Sequence, residues 1–249
     1  MSSKRFDGRT VIVTGGGSGI GRATVERIVE EGGRVVAVDI SQERLDALAA
    51  ELGGAVVTVT GDLTDSAVVT AAVEAAGDTI DGLANVAGIM DGFVPTAELQ
   101  DDMWERVMGV NLTAMMRLTR AVLAPMLAAG KGSIVNVSSE AGHRASAAGT
   151  AYTTSKHAVN GFTKSTAFFY TPKGIRCNAV SPGGVATNVD ATPHTVYGME
   201  RLGPFFAPGI LPRTAQPEEL AAAIVWLLSD DASNVSGAIL PVDGGWAAV

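Results

Sequence analysis

The chain has 249 residues, of which 47% are hydrophobic and 18% charged, and its net charge is −8. This length and balance indicate a single α/β domain with a substantial core, because no linker-like stretch divides the chain. The negative charge provides no basic field for a nucleic acid or an anionic membrane surface, so we expect neither partner.

The chain begins with the polar segment "MSSKRFDGRT" and then enters an apolar strand. This start has no secretory pattern, and no uncharged apolar run along the chain approaches the ~18 residues that span a bilayer. We therefore expect a cytoplasmic protein. The single cysteine, Cys177, lies in a run typical of a buried strand, where a small core residue is expected.

Short apolar strands alternate with amphipathic helices through the first half of the chain. The predicted strands are "TVIVT", "RVVAVDI", "AVVTVTGD" and "IDGLANVAG", and helical spacing fills the intervals between them. Strands of this kind separated by helices are typical of a parallel sheet that is covered on both faces.

The second half continues the alternation. It contains a long helical segment from about 101 to 127, the strand "GSIVNVSS", a helix from about 152 to 170, the strand "IRCNAVSPG", the helix "PEELAAAIVWLLSD" and the strand "GAILPVDGG". Seven strands with crossover helices predict a doubly wound sheet, whose ligand crevice lies at the carboxyl ends of the strands. We expect a dinucleotide-binding half at about 8–140 and a catalytic and substrate half at about 141–249.

One segment, at about 187–216, breaks the alternation. It is rich in Pro and Gly, yet it carries the apolar residues Val196, Tyr197, Met199, Phe205 and Phe206. It is too apolar for a solvated linker and too interrupted for one helix, so we interpret it as a lid over a site.

A glycine-rich turn, "TGGGSGIG" at 14–21, joins the first strand to the first helix. Its glycines, Gly15, Gly19 and Gly21, permit a tight turn, and the helix N-terminus behind it can face a pyrophosphate. A turn of this kind can also serve close packing alone, but its place between strand and helix favours a dinucleotide.

Two acidic residues end the next two strands. A carboxylate at Asp39 can accept hydrogen bonds from both adenosine ribose hydroxyls and would repel a 2′-phosphate, which favours NAD over NADP. Asp39 could instead cap the following helix, although Ser41 is the better cap. Asp62 could accept from the adenine amino group or cap its own following helix, and both interpretations stay open.

Tyr152 and Lys156 are four positions apart on a predicted helix, which places them on one face. Alcohol oxidation needs a base and carbonyl reduction an acid, and tyrosine, with a pKa near ~10, is a poor base alone. We expect the Lys156 ammonium to lower the pKa of Tyr152 and to bind the nicotinamide ribose. Ser139, or its neighbour Ser138, ends a strand and can donate to the substrate oxygen.

The motifs "TGGGSGIG", "GDLTD", "NVAG", "VMGVNLT", "IVNVSS", "YTTSK" and "SPGGVATN" together resemble the short-chain dehydrogenase/reductase family, in order and over the whole chain. The resemblance implies a single-domain Rossmann fold, a homotetramer and hydride transfer between a nicotinamide and an alcohol or carbonyl carbon. It also implies a catalytic tetrad of Asn111, Ser139, Tyr152 and Lys156. The serine choice follows the family's spacing, and Asn111 would mark a helix irregularity that holds a proton-relay water.

The resemblance also implies the cofactor contacts. These are Gly15, Ser18, Gly19, Ile20, Gly21, Asp39, Ile40, Asp62, Leu63, Asn85, Ala87, Gly88, Tyr152, Lys156, Pro182, Gly183, Val185 and Thr187. Val86 departs from the second asparagine that is usual in the family, which puts local hydrogen bonding in doubt.

The predicted substrate contacts are Ser139, His143, Tyr152, Tyr197, Phe205 and Phe206. The three histidines, His143, His157 and His194, share no metal-ligand spacing, so we expect no metal site. Tyr170 and Trp246 are interpreted as packing or interface residues.

These observations favour an NAD-dependent alcohol dehydrogenase or ketone reductase acting on a mainly apolar small molecule. A 3-oxoacyl-thioester reductase is the alternative within the family, and Asp39 argues against the NADPH that such enzymes usually take. A dinucleotide-binding sensor or scaffold without turnover is the alternative from another class.

Overall fold

The computed structural model of the protein describes residues 4–207, 209 and 211–248. Its seven strands form one parallel sheet in the order β3-β2-β1-β4-β5-β6-β7, which confirms the predicted doubly wound α/β fold. The strands are β1 (Thr10–Thr14), β2 (Arg34–Asp39), β3 (Val56–Thr60), β4 (Gly82–Asn85), β5 (Gly132–Val137), β6 (Ile175–Pro182) and β7 (Ile239–Val242).

Helices cover both faces of the sheet. They are α1 (Gly19–Glu30), α2 (Gln42–Leu52), α3 (Ser66–Ala76), α4 (Asp101–Met108), α5 (Met115–Ala129), α6 (Thr150–Tyr170), α7 (Val196–Leu202) and α8 (Pro217–Leu228). Successive residues of β1 pack into the two hydrophobic cores on opposite faces of the sheet. Val11 and Val13 pack with α1 and α8, whereas Ile12 packs with α3 and α5. Apolar side chains on both faces explain why the strands read as continuous apolar runs.

The strand order places the expected crevice. β1 pairs with β2 on one side and with β4 on the other, so the chain winds away from β1 in both directions. Crevices in such sheets open at the carboxyl ends of the strands on either side of this switch. Thr14, the last residue of β1, therefore lies at this switch point.

The long helical segment predicted at about 101–127 is continuous but irregular. A π-helical segment, Gly109–Ala114, separates α4 from α5. The stretch Asp101–Ala129 is long and apolar enough to cross a membrane by length and composition alone, with 39% of its most apolar window buried. Leu118, Val122 and Met126 pack against the sheet, as expected of a core helix.

The predicted lid segment contains a short helix. α7 occupies Val196–Leu202, and a 3₁₀ turn at Gly203–Phe206 follows it. Positions 208 and 210 of the predicted lid lie outside the described residues. Cys177 is fully buried in β6, as predicted.

Candidate active site

The glycine turn leaves no space for side chains where it crosses α1. A Cβ atom on Gly21 would lie 2.0 Å from the carbonyl oxygen of Gly15, and Gly15 itself has a positive φ of 66°. Ser18 is the N-cap of α1 and makes no side-chain capping bond, so its hydroxyl leaves the first-turn N–H groups available to a ligand. Ile20 follows within the first turn of α1. This arrangement can receive a pyrophosphate on backbone donors.

Asp39 connects the end of β2 to the glycine turn. Its Oδ2 accepts a hydrogen bond of 3.0 Å from the Gly17 N–H, and its Oδ1 accepts one of 3.0 Å from the Ser41 N–H. Ser41, as predicted, is the residue that caps α2, so the capping alternative for Asp39 is wrong. Ile40 beside it is 66% exposed.

Asp62 forms a turn of its own after β3. Its Oδ1 accepts from both the N–H and the hydroxyl of Thr64, each at 2.8 Å, and these bonds lower the pKa of Asp62. The cap of α3 is Asp65, which accepts from Ala67 N–H, so the capping alternative for Asp62 is wrong. Leu63 packs against the core.

The loop after β4 is held by Thr14 at the end of β1. The Thr14 hydroxyl accepts from the N–H groups of Val86 at 2.9 Å and Ala87 at 3.1 Å. The Asn85 amide donates to the Asn136 side chain at 2.9 Å. With valine at position 86, the loop is held by the backbone N–H groups that donate to Thr14. The Val86 side chain packs against the core.

Asn111 lies in the π-helical segment, the position at which the family resemblance implies a helix irregularity. Its Oδ1 accepts from Ile89 N–H at 2.9 Å, and its Nδ2 donates to the Ile89 carbonyl at 3.0 Å and to Ser155 Oγ at 3.2 Å. A Cβ on Gly88 would lie 3.3 Å from Asn111 Oδ1 and 3.5 Å from Lys156 Nζ. Position 88 therefore lies directly against both polar groups.

A small cavity adjoins this segment. It has a volume of about 10 Å³ and is lined in part by Asn85, Ala87 and Asn111. A cavity of this volume is near the minimum that can hold one water molecule.

Tyr152, Lys156 and Ser139 meet at the start of α6. Lys156 Nζ lies 5.4 Å from the centre of the Tyr152 ring and donates to the Val137 carbonyl at 2.9 Å. The Tyr152 side chain hydrogen-bonds with Ser139. Ser138 donates instead to the Lys156 backbone carbonyl at 3.3 Å and is buried, which is a structural contact.

The expected direction of the Tyr152 pKa is wrong for this structure. Burial raises the pKa of Tyr152 to about 12 and the charge of Asp91 adds to the rise, although the hydrogen bond with Ser139 opposes it. Burial also lowers the pKa of Lys156 to about 8. Burial is the largest cause of both pKa shifts, so Tyr152 holds its proton at neutral pH.

The loop after β6 crosses the glycine turn. Thr187 lies beside Gly19, with its methyl group 3.1 Å from the position of a Cβ there, and Val185 forms a bridge to Ala215. Pro182 pairs with Val242, and Gly183 N–H donates to the carbonyl of the same residue. Of the predicted nicotinamide contacts, Thr187 therefore lies directly against the glycine turn.

The predicted substrate residues separate into two groups. Phe206 packs edge-on against Phe93 at 5.8 Å and Trp246 at 6.3 Å between ring centres, whereas Tyr197 is 57% exposed and Phe205 44% exposed. Neither Phe93 nor Trp246 was predicted as part of a substrate region. No local pattern marks the aromatic cluster, because its three rings come from distant segments.

Polar groups border this aromatic cluster. The Arg144 guanidinium lies 4.8 Å from the centre of the Trp246 ring. His143 Nε2 lies 2.9 Å from Ser181 Oγ, and burial lowers the pKa of His143. Asp91 is a further buried residue that no sequence pattern indicated, and its carboxylate accepts a hydrogen bond from the Tyr152 N–H. Within residues 4–207, 209 and 211–248, no three His, Cys, Asp or Glu side chains are grouped to hold a metal ion.

Comparison with known proteins identifies the class. The model of the short chain dehydrogenase family matches residues 9–195. 3beta-Hydroxysteroid dehydrogenase 2 of Eggerthella lenta is 40% identical over 250 residues, covering 97% of this chain and 95% of that protein. The chain therefore belongs to the short-chain dehydrogenase/reductase family and is an oxidoreductase.

Two solved structures support the assignment. Levodione reductase has a TM-score of 0.87 at 34% identity, covering 98% of this chain and 99% of the other. A 3-oxoacyl-[acyl-carrier protein] reductase with bound NAD from Brucella melitensis has a TM-score of 0.85 at 33% identity, covering 98% of this chain and 93% of the other.

Proposed function

We propose that the protein is an NAD(H)-dependent alcohol dehydrogenase or ketone reductase acting on a secondary hydroxyl or ketone of a mainly apolar small molecule. The observation that carries the proposal is the meeting of three side chains at the carboxyl ends of the sheet. The Tyr152 phenol hydrogen-bonds with Ser139, and the Lys156 ammonium lies beside the Tyr152 ring. Acid, oxyanion donor and cation thus lie close to one another.

These side chains supply the proton chemistry. Because the pKa of Tyr152 is raised to about 12, the phenol is protonated at neutral pH and can donate to a carbonyl oxygen. Ser139 can donate to the same oxygen, and Lys156 stabilises the phenolate that remains. In the oxidative direction Tyr152 accepts the hydroxyl proton, which requires Lys156 to favour the phenolate. The nicotinamide, when bound, donates or accepts the hydride.

The crevice has the donors and acceptors that a dinucleotide requires. The uncapped N-terminus of α1 presents backbone N–H groups to the pyrophosphate, and a Cβ at Gly21 would fill the turn in front of it. Each oxygen of Asp39 accepts one backbone N–H, so each retains a lone pair for a ribose hydroxyl. Tyr152 and Lys156 stand at the nicotinamide end.

The preference for NAD over NADP rests on Asp39, because its carboxylate would repel a 2′-phosphate. Arg44 favours NADP instead, because a guanidinium can bind a 2′-phosphate. Its Nη1 lies 3.5 Å from Ser18 Oγ, at the start of α1. Initial rates should therefore be measured with NADH and NADPH on the wild type and on Arg44→Ala. We expect higher kcat/KM with NADH in both proteins. A preference for NADPH that Arg44→Ala abolishes would contradict the assignment.

The role of Tyr152 is tested by Tyr152→Phe, with Tyr170→Phe at the far end of α6 as the matched control. Loss of the phenol removes the proton donor while leaving the ring, so turnover should fall by at least about 100-fold, within the usual range for general acid–base catalysis. NADH binding, followed by fluorescence, should stay near the wild-type value. Unchanged turnover in Tyr152→Phe would refute the role. Absence of turnover in the wild type with every alcohol and ketone tried would favour the sensor or scaffold.

An apolar substrate is favoured by the lid. Phe206, Phe93 and Trp246 form an aromatic cluster, and Val196 and Tyr197 of α7 are exposed. Two of the similar proteins described above are named for a hydroxysteroid and for levodione, whereas the NAD-bound relative is named for a 3-oxoacyl thioester, which keeps that alternative open. A panel of cyclic and acyclic alcohols, ketones and 3-oxoacyl thioesters, followed by NADH absorbance, separates these classes. Activity confined to thioesters would select the alternative.

A cytoplasmic homotetramer completes the proposal. Phe168 and Phe169 contact each other edge-to-face at the end of α6 and are 76% and 63% exposed. Such exposure is unusual for large apolar side chains and favours burial between subunits. We expect a tetramer in sedimentation velocity and smaller species for Phe168→Ser with Phe169→Ser. A monomeric wild type would contradict this part of the proposal.

A further inference from the structure

Asp91, in the loop after β4, is a carboxylate with no exposed surface. Its Oδ1 accepts from Phe93 N–H at 3.1 Å and from Gly149 N–H at 3.2 Å, and its Oδ2 accepts from Tyr152 N–H at 2.9 Å. Three backbone donors thus converge on one buried charge. Two of them belong to the start of α6, the helix that carries Tyr152.

The first turn of α6 depends on this distant carboxylate. Its N-cap is Gly149, which makes no side-chain capping bond, and Tyr152 is the third residue inside the helix. An N-cap side chain ordinarily accepts from the second or third N–H of the helix, and Asp91 performs this function from another loop. A Cβ on Gly149 would lie 2.5 Å and 2.6 Å from the two Asp91 oxygens. The glycine therefore provides the space that Asp91 occupies.

The loop that presents Asp91 is itself docked against α6. Gly92 and Phe93 both have left-handed backbone conformations, with φ of 62° and 63°, and Phe93 is the one non-glycine residue with positive φ among the residues that the structure describes. Such a conformation is sparsely populated and persists where its surroundings hold it. Here the Phe93 N–H bond to Asp91 and the Thr150 N–H bond to the Val94 carbonyl, at 2.9 Å, hold the loop on the helix.

We propose that Asp91 is a positioning residue for Tyr152: its carboxylate fixes the first turn of α6, and thereby the phenol, against Ser139. This inference rests on the acid/base function proposed for Tyr152. Negative charge at a helix N-terminus is favourable, so the contact stabilises the turn as well as orienting it.

Asp91 also sets the electrostatic balance around the phenol. Among the described residues, the charged groups facing Tyr152 are Asp91 from the loop after β4 and Lys156 from α6, and Ser139 faces it from the end of β5. The charge of Asp91 raises the pKa of Tyr152, whereas the Lys156 ammonium favours the phenolate. Removing the Asp91 charge should therefore move the Tyr152 titration to lower pH.

The test is Asp91→Asn, which keeps the size of the side chain and one oxygen acceptor but removes the charge. The matched control is Asp81→Asn, because Asp81 also accepts a backbone N–H, that of Thr10, at the opposite end of the sheet. Two readouts are compared: the pH profile of kcat, and the phenolate absorbance of Tyr152. The chain has three tyrosines, so subtracting the titration of the matching Tyr152→Phe protein isolates this one.

For Asp91→Asn we expect two midpoints to move together to lower pH: that of the change in kcat with pH, and that of the Tyr152 titration. We also expect the maximal kcat to fall by about tenfold with little change in KM, because misplacing a catalytic group weakens the reaction more than binding. Asp81→Asn should change neither. A purely structural role for Asp91 would lower stability and leave the maximal kcat unchanged, and that outcome would overturn the proposal.

The absorbance readout needs no turnover, so it separates this inference from the proposed function. Normal activity in Tyr152→Phe would refute the function of Tyr152, whereas an unmoved Tyr152 titration in Asp91→Asn would refute only the function of Asp91. If Asp91→Asn does not fold, amide exchange in the wild type provides the test. Slow exchange at Phe93, Gly149 and Tyr152 is expected, and fast exchange at all three would overturn the proposal.

Discussion

Replacing Gly21 with alanine tests whether the glycine turn tolerates any side chain where it crosses α1. The added Cβ would lie 2.0 Å from the carbonyl oxygen and 2.6 Å from the carbonyl carbon of Gly15. Both atoms belong to the backbone, so no flexible side chain can move aside. Alanine in a helix is favoured over glycine by up to ~1 kcal/mol, but overpacking costs ~1–3 kcal/mol or more.

Because the contact is backbone to backbone, we expect the steric cost to prevail. A net loss of about 2 kcal/mol in the free energy of unfolding corresponds to a fall in Tm of roughly 4–8 °C for a chain of this size. If the turn relieves the contact by moving, the same energy is lost from cofactor binding, which corresponds to about 30-fold in Kd.

Thermal denaturation and NADH fluorescence titration measure the two effects. Gly54→Ala is the matched control, because Gly54 is exposed, has no positive φ, and a Cβ there would have no heavy atom within 4 Å. It should stay within about 0.5 kcal/mol of the wild type. A Gly21→Ala protein with wild-type Tm and wild-type NADH affinity would show that the turn has no steric requirement at this position.

Three further predictions concern buried polar groups. Glu31→Gln should lower the free energy of unfolding at pH 7 by about 1–3 kcal/mol, because Glu31 loses charge-assisted bonds to Arg5 at 2.6 and 2.7 Å. Burial would raise the pKa of Glu31, but its bonds to Arg5 and Arg27 lower it, so this stability is present above the unfolded pKa near ~4.3 and is lost as pH falls through the folded pKa. The free energies of unfolding of wild type and variant, measured in urea, should therefore differ less in more acidic buffer. A difference that does not change with pH would contradict the argument. Asn136→Ala should lower the free energy of unfolding at pH 7 by about 1–3 kcal/mol, since it removes the buried acceptor of one Asn85 N–H and the donor to the Thr163 hydroxyl. A wild-type midpoint in urea unfolding would count against this network. Cys177 should resist a thiol reagent at pH 8 until the protein is denatured, because burial raises the pKa of its thiol to about 12, and rapid labelling of the native protein would contradict its burial.

Patterns confined to one segment predicted the framework correctly. The apolar strands and the helices between them indicated the seven-stranded parallel sheet, and Ser41 was identified as the cap of α2. The helix irregularity that the family resemblance implied at Asn111 is a π-helical segment in the structure. These features depend on residues a few positions apart, so a sequence reveals them directly.

Other features depended on the tertiary structure. Asp91 and Tyr152 are separated by 61 positions and meet only because the loop after β4 docks on α6. Phe93, Phe206 and Trp246 likewise come from separate segments. Spacing placed Tyr152 and Lys156 on one helix face. The charge of Lys156, considered by itself, predicted a lowered pKa for Tyr152, and this direction was wrong. Desolvation depends on every element that covers a group, and that covering exists only once the chain has folded.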